Sequence, residues 1–293
     1  MKSTVPEGGM GPLRERSIIR LIDDESPVVR AAVCEELKRQ GEEGIALLKR
    51  MSLQSNRILA SHARQFLEEL EGPDSVTSFI QFIRSLQFEL ETGCLLLNRT
   101  VFPDMDTSEC CMMLDAMGAR CRELMVLPST PWEKCKVLNR VIFHEYGFRG
   151  NVENYDDPLN SFIAHVLRRR KGLPITLCIV YILVAQRCGL DLEPVGMPFH
   201  FLVGCFSEKV PFYIDAFERG RFRTAQELQA VLESRNVEPS MEHLAPSPIW
   251  DVLRRVCRNL VDDYKLQGDS QRAQLFENFI HEFEDSHRRH ANP

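Results

Sequence analysis

A histidine and an aspartate in neighbouring stretches of alternating apolar residues could do acid–base chemistry together. His200 lies in FHFLV (199–203), and Asp215 ends VPFYID (210–215), with a polar Ser-Glu turn between them. This alternation predicts an antiparallel hairpin, and symmetry about the turn places His200 opposite Asp215. A carboxylate placed there fixes the tautomer of the imidazole and stabilises its charged form. A cross-strand pair with a purely structural role is the alternative.

The segment before this hairpin has the start and stop signals of one long helix. Pro174 fits the first helical position, where its missing amide hydrogen costs nothing, and Gly189 can adopt the left-handed conformation that ends a helix. The run ITLCIVYILVA (175–185) is apolar on every side, so we expect this helix to be buried all round. The run is also shorter than the about 20 residues that a bilayer span needs.

A buried helix preceded by glycine and followed by one strand with His and one with Asp resembles the transglutaminase-like superfamily, which is related to papain-type folds. Three ordered motifs are similar to its SirB-one branch, which a group of eukaryotic F-box proteins shares: FHEYGFRGN (143–151), YDDPLNS (155–161) and RKGLPITL (170–177). The resemblance extends from about Glu91 to Ile280. It implies a transglutaminase- and papain-like core with a small antiparallel sheet.

A proline stands where the superfamily has its catalytic cysteine. That cysteine begins the helix after the glycine, where the positive end of the helix dipole favours a thiolate. The corresponding residue here is Pro174, which cannot attack a substrate. The resemblance implies that His200 and Asp215 match the other two catalytic positions. The branch usually has glycine where this chain has Phe199, which bears on whether a groove beside His200 is open.

Cys178 is the alternative nucleophile. It lies four residues after Pro174, on the same helix face but roughly 6 Å deeper. Apolar surroundings should raise the pKa of its thiol and lower its reactivity, so a small buried hydrophobic residue is the competing interpretation. Thr176, in the first helical turn, is expected to bind local backbone groups or to line a groove.

The polar connection 147–161 is long enough to be functional. Its residues Asn151, Tyr155 and Asn160, together with Thr176, could line a groove beside the helix. The alternative is that these side chains hold the loop together through bonds to its backbone.

The composition describes an ordinary soluble protein, with 44% hydrophobic residues, 27% charged residues and a net charge of −6. Mild acidity argues against a nucleic-acid partner, and the basic run 168–171 is expected to lie in solvent at a helix end. The ten cysteines form no CxxC pair and have no metal-like spacing with histidine, so no metal or cofactor is predicted. Residues 1–11 lack the apolar core of a secretory signal, so we expect reduced thiols and a cytoplasmic location.

Helical patterns on both sides of the core predict four segments. Residues 1–12 are expected to be disordered. Residues 13–72 resemble a HEAT-type repeat through LIDDESPVVRAA (21–32), in which acidic residues and proline precede an amphipathic helix. A plain helical cap on the core is the alternative to a docking module. The transglutaminase-like core spans 73–238, and 239–293 form an antiparallel helix pair similar to half of a tetratricopeptide (TPR) stack. The predicted fold class is α+β, mostly α.

Two functions from different classes follow from these residues. The first is a non-catalytic protein-binding or regulatory protein, because Pro174 replaces the nucleophile. The second is a thiol hydrolase or acyl transferase, a protease- or transglutaminase-like enzyme in which Cys178 attacks, His200 is the general base and Asp215 orients it. The partner expected for the first is another protein, and neither function requires a membrane. Whether the chain is an enzyme stays open at this point, as does its oligomeric state.

Overall fold

The computed structural model describes residues 12–24, 26–53, 56–71 and 74–291. These residues fall into two compact units, one up to Thr77 and one from Ser78. The disorder predicted for 1–12 lies outside the described residues, apart from Pro12, where the first helix begins.

The first unit is helical. It contains α1 (Pro12–Leu21), α2 (Pro27–Gln40), α3 (Glu42–Ser52) and α4 (Arg57–Glu71). These helices agree with the helical pattern that the sequence shows over this segment. Gly41, between α2 and α3, has a φ of 54°, which glycine adopts without a Cβ clash. Ile22, Leu37, Leu48 and Phe66 belong to the buried core. The likeness to a HEAT repeat stays a prediction.

Most of the second unit is also helical. The division between the units falls within α5 (Ser75–Ser85). The α-helices after it are α6 (Leu90–Arg99), α7 (Ser108–Leu124), α8 (Pro131–Asn139), α9 (Ile163–Arg169), α10 (Pro174–Arg187), α11 (Ala225–Ser234), α12 (Ile249–Leu266) and α13 (Ser270–Ala291). A π-helical segment, Arg140–Glu145, extends α8. The predicted helix pair near the C-terminus is present as α12 and α13.

The sequence over 79–98 has a continuous helical pattern that favours one helix, but the structure has two. The chain forms α5 and α6 there, because Leu86 takes a left-handed conformation with a φ of 55°. The Glu89 carboxylate then caps α6 by accepting hydrogen bonds from the N–H groups of Glu91 and Thr92. Apolar residues continue across this break, so their periodicity alone did not reveal it.

Two small sheets accompany these helices. β1 (Arg149–Gly150) and β2 (Lys171–Gly172) form a short parallel pair. A four-stranded antiparallel meander contains β3 (Glu193–Val195), β4 (Leu202–Cys205), β5 (Phe212–Asp215) and β6 (Arg221–Arg223). Only β4 and β5 were predicted. The strands β1, β2, β3 and β6 have two or three residues each, too few to show a period of two.

The predicted hairpin is present with a different register. Val203 pairs with Ile214 and Cys205 with Phe212, which places Asp215 opposite Leu202 and not opposite His200. The predicted register is therefore wrong by two positions. Such a shift keeps both side chains on the same face, whereas a shift of one would separate them. Pro211, which cannot donate to a strand ladder, precedes β5, and β5 itself lies between β4 and β6.

The helix α10 is the centre of this unit. Every residue from Pro174 to Ala185 is buried, which confirms the prediction of a helix buried all round. Gly189, just after it, has a φ of 64°. At its polar end, the Arg187 guanidinium pairs with Glu91 at 2.9 Å. Among the helices that the structure describes, none is long and apolar enough to cross a membrane.

Candidate functional site

His200 and Asp215 are in direct contact. His200 Nε2 lies 2.7 Å from Asp215 Oδ2. The carboxylate side chain is 4% exposed and the imidazole 24%. The second carboxylate oxygen, Oδ1, accepts a hydrogen bond from the Glu218 N–H at 3.0 Å. The carboxylate is thus fixed on both sides, and a neutral ring that donates Nε2–H to it presents the Nδ1 lone pair as a base.

His200 lies in a bend just before β4. Its N–H donates to the Met197 carbonyl at 3.2 Å. The preceding residue, Phe199, has a φ of 61°, a left-handed conformation that costs a non-glycine residue about 1–2 kcal/mol. This conformation explains the glycine that the resembling branch usually has here. The Phe199 ring is 68% exposed and lies 5.6 Å from the Arg235 guanidinium carbon.

Arg255 of α12 holds the bend that contains His200. Its Nη2 donates to the Met197 carbonyl at 3.1 Å and to the His200 carbonyl at 2.9 Å. Its guanidinium carbon lies 5.3 Å from the centre of the Phe201 ring. Burial lowers the pKa of Arg255. Sequence reasoning missed this residue, because it stands among other arginines of an amphipathic helix and looks like part of a solvated face.

Cys178 is enclosed. Its side chain is completely buried, and its Sγ donates a hydrogen bond to the Phe201 carbonyl at 3.4 Å. Burial raises the pKa of the Cys178 thiol well above its usual range, and the Asp215 carboxylate raises it further. The Ala216 N–H and Arg255 act on this pKa in the opposite direction. The sulfur is therefore a neutral thiol whose hydrogen points at the backbone carbonyl next to His200.

The first turn of α10 offers no other nucleophile. Pro174 is buried at the first position of the helix. The Thr176 hydroxyl accepts a hydrogen bond from the Leu173 N–H at 3.0 Å and donates to the Asn160 carbonyl at 2.8 Å. It is 1% exposed. The hydroxyl is thus committed to local backbone groups.

The polar connection before α9 is held by its own amides. Asn151 Nδ2 donates to Asn160 Oδ1 at 2.8 Å, and Asn160 Nδ2 donates to the carbonyls of Asn154 and Tyr155. Both asparagines are buried. The Tyr155 ring is 47% exposed and packs edge-on against Phe217, two residues after Asp215. These contacts describe side chains that hold a loop. Lining of a groove stays a prediction, most directly for Tyr155.

The basic run at the end of α9 pairs with carboxylates. Arg168 binds Glu109 at 3.3 Å, Arg169 binds Asp157 at 2.8 Å and Lys171 binds Glu153 at 3.2 Å. Arg170 has a φ of 57° and lies over the Tyr146 ring. Among the residues that the structure describes, no three His, Cys, Asp or Glu side chains are grouped so that they could hold a metal ion.

Residues 108–258, just over half of the chain, match the model of the transglutaminase-like superfamily. The chain belongs to this superfamily. The matched region of this transglutaminase-like chain contains Pro174, Cys178, His200, Asp215 and Arg255. The contact between the imidazole and the carboxylate therefore lies inside the part of the chain that defines the family.

Several proteins are similar to this transglutaminase-like chain. A UPF0162 protein of Xylella fastidiosa is 31% identical over 185 residues, which cover 60% of this chain and 64% of that protein. F-box only protein 21 of Homo sapiens is 32% identical over 146 residues, 47% of this chain and 23% of that protein. A UPF0162 protein of Vibrio cholerae is 29% identical over 145 residues, 49% of this chain and 53% of that protein. The chain thus spans less than two thirds of the length of these relatives. No solved structure matches it.

Proposed function

We propose that this transglutaminase-like protein has lost its nucleophile and acts by binding another protein. The observation that carries the proposal is the first turn of α10, where Pro174 stands at the position that the family resemblance assigns to the nucleophile. The nearest thiol along the chain, Cys178, is buried and bonded to the Phe201 carbonyl. Attack by a cysteine requires a thiolate. Burial that raises the pKa of Cys178 removes nearly all thiolate at neutral pH.

The binding half of the proposal is supported by the relatives and by the flanking helices. Similarity to F-box only protein 21 favours a role in protein interactions. We place the chain in the SirB-one branch on its three motifs, and we take the helices before Thr77 as a HEAT-like segment and α12 with α13 as a TPR-like pair. Repeat segments of both kinds present extended surfaces to partners.

The retained contact between His200 and Asp215 favours the second candidate, a thiol hydrolase or acyl transferase. Activity would require the Cys178 sulfur to leave the Phe201 carbonyl and to reach His200 Nδ1. The carboxylate would then orient the ring as it takes the thiol proton. In the structure, Arg255 holds the backbone of the bend that contains His200, and the Cys178 thiol hydrogen is bonded to the Phe201 carbonyl. Both contacts disfavour this candidate.

The two candidates differ in how an iodoacetamide probe labels the native chain. We expect Cys178 of the wild-type protein to stay unlabelled at pH 7, and the protein to release no ammonia from a glutamine-containing peptide. Labelling of Cys178 that is lost in His200→Ala would overturn the non-catalytic proposal. The measurement is peptide mapping by mass spectrometry after a short pulse of the probe.

A variant with a cysteine at the nucleophile position tests whether the site can still activate a thiol. Pro174→Cys places a thiol at the first position of α10, where the helix dipole favours a thiolate. We expect this thiol to react at pH 7 roughly tenfold faster than Cys178 of the same chain, which lies one turn deeper in the apolar interior. Pro174→Ser is the matched control without sulfur, and adding His200→Ala should remove most of the gain. An introduced thiol as slow as Cys178 would show that neither the helix end nor the imidazole activates a thiol at this position.

Binding is tested with the tagged chain as bait and the untagged chain as competitor. The proposal expects a captured protein that the untagged chain displaces in proportion to its concentration. The same displacement should be seen with an untagged His200→Ala chain, because binding on the helical segments does not use the imidazole. A chain that captures nothing displaceable would contradict the binding half while leaving the chemistry of Cys178 untouched.

A further inference from the structure

The end of α10 approaches α7 very closely. A Cβ added to Gly118 of α7 would lie 2.7 Å from the Arg187 Cβ, so only glycine fits at this crossing. Cys188 follows Arg187, and its Sγ lies 3.6 Å from the Gly118 carbonyl. Cys121 lies three residues after Gly118, on the same face of α7, and its thiol interacts with the Cys188 sulfur. Two helices that meet at a glycine thus bring two cysteines together.

The two thiols differ in access and in surroundings. Cys121 is completely buried, whereas Cys188 is partly exposed. The Cys121 thiol donates to the Cys188 sulfur and thereby lowers the pKa of Cys188, and the positive charges of Arg122 and Lys134 lower it further, against the effect of burial. The contact with the Gly118 carbonyl favours the protonated form, but a sulfur contact of 3.6 Å is weak. The balance lowers the pKa of Cys188, so it holds more thiolate at a given pH than an ordinary cysteine does.

We propose that Cys188 and Cys121 form a peroxide-oxidised site that closes to a disulfide. The Cys188 thiolate attacks one oxygen of hydrogen peroxide, the O–O bond breaks, and the departing hydroxide takes a proton and leaves as water. The Cys121 sulfur then attacks the resulting sulfenic acid, forming the S–S bond and releasing a second water. Each sulfur gives up one electron, the peroxide accepts two, and both thiol protons end in water.

Cys111 provides a comparison within the same helix α7. It is partly exposed like Cys188. Burial and the Glu91 carboxylate raise the pKa of Cys111, so it holds less thiolate than Cys188 at the same pH. Its sequence neighbour Cys110 is buried, and burial raises the pKa of Cys110 to about 11. Access alone therefore does not select Cys188. Cys188 differs from Cys111 in the positive charges of Arg122 and Lys134 and in the neighbouring Cys121 thiol, which lower its pKa.

The test treats the reduced full-length chain with an equimolar amount of hydrogen peroxide, followed by N-ethylmaleimide to block the remaining thiols. Disulfide formation removes about 2 Da and protects two cysteines from alkylation. We expect peptide mapping without reduction to find one cross-linked pair that contains Cys121 and Cys188, and Cys111 to remain alkylated. Alkylation of Cys188 to the same extent before and after peroxide would overturn the proposal.

Two variants separate the steps. In Cys121→Ser the sulfenic acid has no resolving thiol, so Cys188 should accumulate a form that dimedone traps. In Cys188→Ser, Cys121 should stay alkylatable after unfolding. Cys111→Ser is the matched control and should form the cross-link as the wild type does. Should Cys121→Ser not fold, the wild-type map and Cys188→Ser decide alone. Oxidation of Cys188 only to sulfinic acid in the wild type, with no cross-linked peptide, would refute the disulfide.

Discussion

Cys178 and Cys188 belong to opposite ends of the same helix and differ in almost every property that governs a thiol. Cys178 lies inside α10, is completely buried and gives its hydrogen to the Phe201 carbonyl. Cys188 follows the last residue of α10, is partly exposed and receives a hydrogen bond from Cys121. Burial raises the pKa of the first, and the neighbouring thiol and cations lower the pKa of the second.

This difference is the reverse of what the helix dipole alone favours. The dipole stabilises a thiolate near the N-terminus of a helix and disfavours one near the C-terminus, by about 0.3–1 kcal/mol. Cys178 is nearer the end of the helix that favours a thiolate. Burial in an apolar interior, however, disfavours the thiolate by several times the free energy that the dipole contributes. At Cys188 the opposing dipole is outweighed by a hydrogen-bond donor and two positive charges. Local surroundings decide reactivity here, and distance from a helix end does not.

The comparison predicts its largest effect in alkylation rates. In the native chain at pH 7, Cys188 should react with iodoacetamide about 100-fold faster than Cys178, because it is both accessible and richer in thiolate. Quenched time points analysed by peptide mapping give the two rates in one sample. Raising the pH should accelerate Cys188 until its thiolate saturates, at a lower pH than for free cysteine. Equal rates for the two cysteines would break the comparison.

A smaller effect is expected in the free energy of unfolding. Cys178→Ser places a hydroxyl in a fully buried apolar site and should cost about 1–3 kcal/mol. Cys188→Ser changes a partly exposed side chain and should stay within about 0.5 kcal/mol of the wild type. Urea unfolding curves of the two variants measure both values. A Cys178→Ser variant as stable as Cys188→Ser would show that the interior around α10 tolerates polar groups.

The sequence predicts the features that lie within one element better than those that join elements. Proline at one end, glycine at the other and an apolar run between them defined α10. The alternation around His200 and Asp215 defined β4 and β5. The predicted register was wrong because His200 lies in a bend before β4. This bend depends on the left-handed φ of Phe199, which a hydrophobic pattern does not predict. The predicted contact between His200 and Asp215 is nevertheless present, because a register shift of two residues keeps both side chains on the same face of the sheet.

Contacts between distant segments account for what the sequence did not predict. Arg255 is 55 residues from His200 in the chain, yet its guanidinium holds the His200 carbonyl. The charges beside Cys188 come from Arg122 and Lys134, in elements far away in sequence. The apolar helical pattern around Cys178 predicts the burial that the structure shows. For Cys188 such a prediction fails, since no local pattern encodes which side chains of α7 and α8 face the end of α10.

The smallest effect concerns the Lys134 charge. Its contribution to the Cys188 pKa follows the Cys121 hydrogen bond and the Arg122 charge, so it is the weakest of the three that lower this pKa. Lys134→Gln should therefore slow alkylation of Cys188 at pH 7 only about twofold and leave Cys178 unchanged. Lys136→Gln, on the same helix, removes an equal charge that does not act on Cys188 and should change nothing. Added salt should narrow the difference between the two variants, because salt screens the charge. An equal slowing by both substitutions would mean that net charge, and not the position of Lys134, sets the reactivity of Cys188.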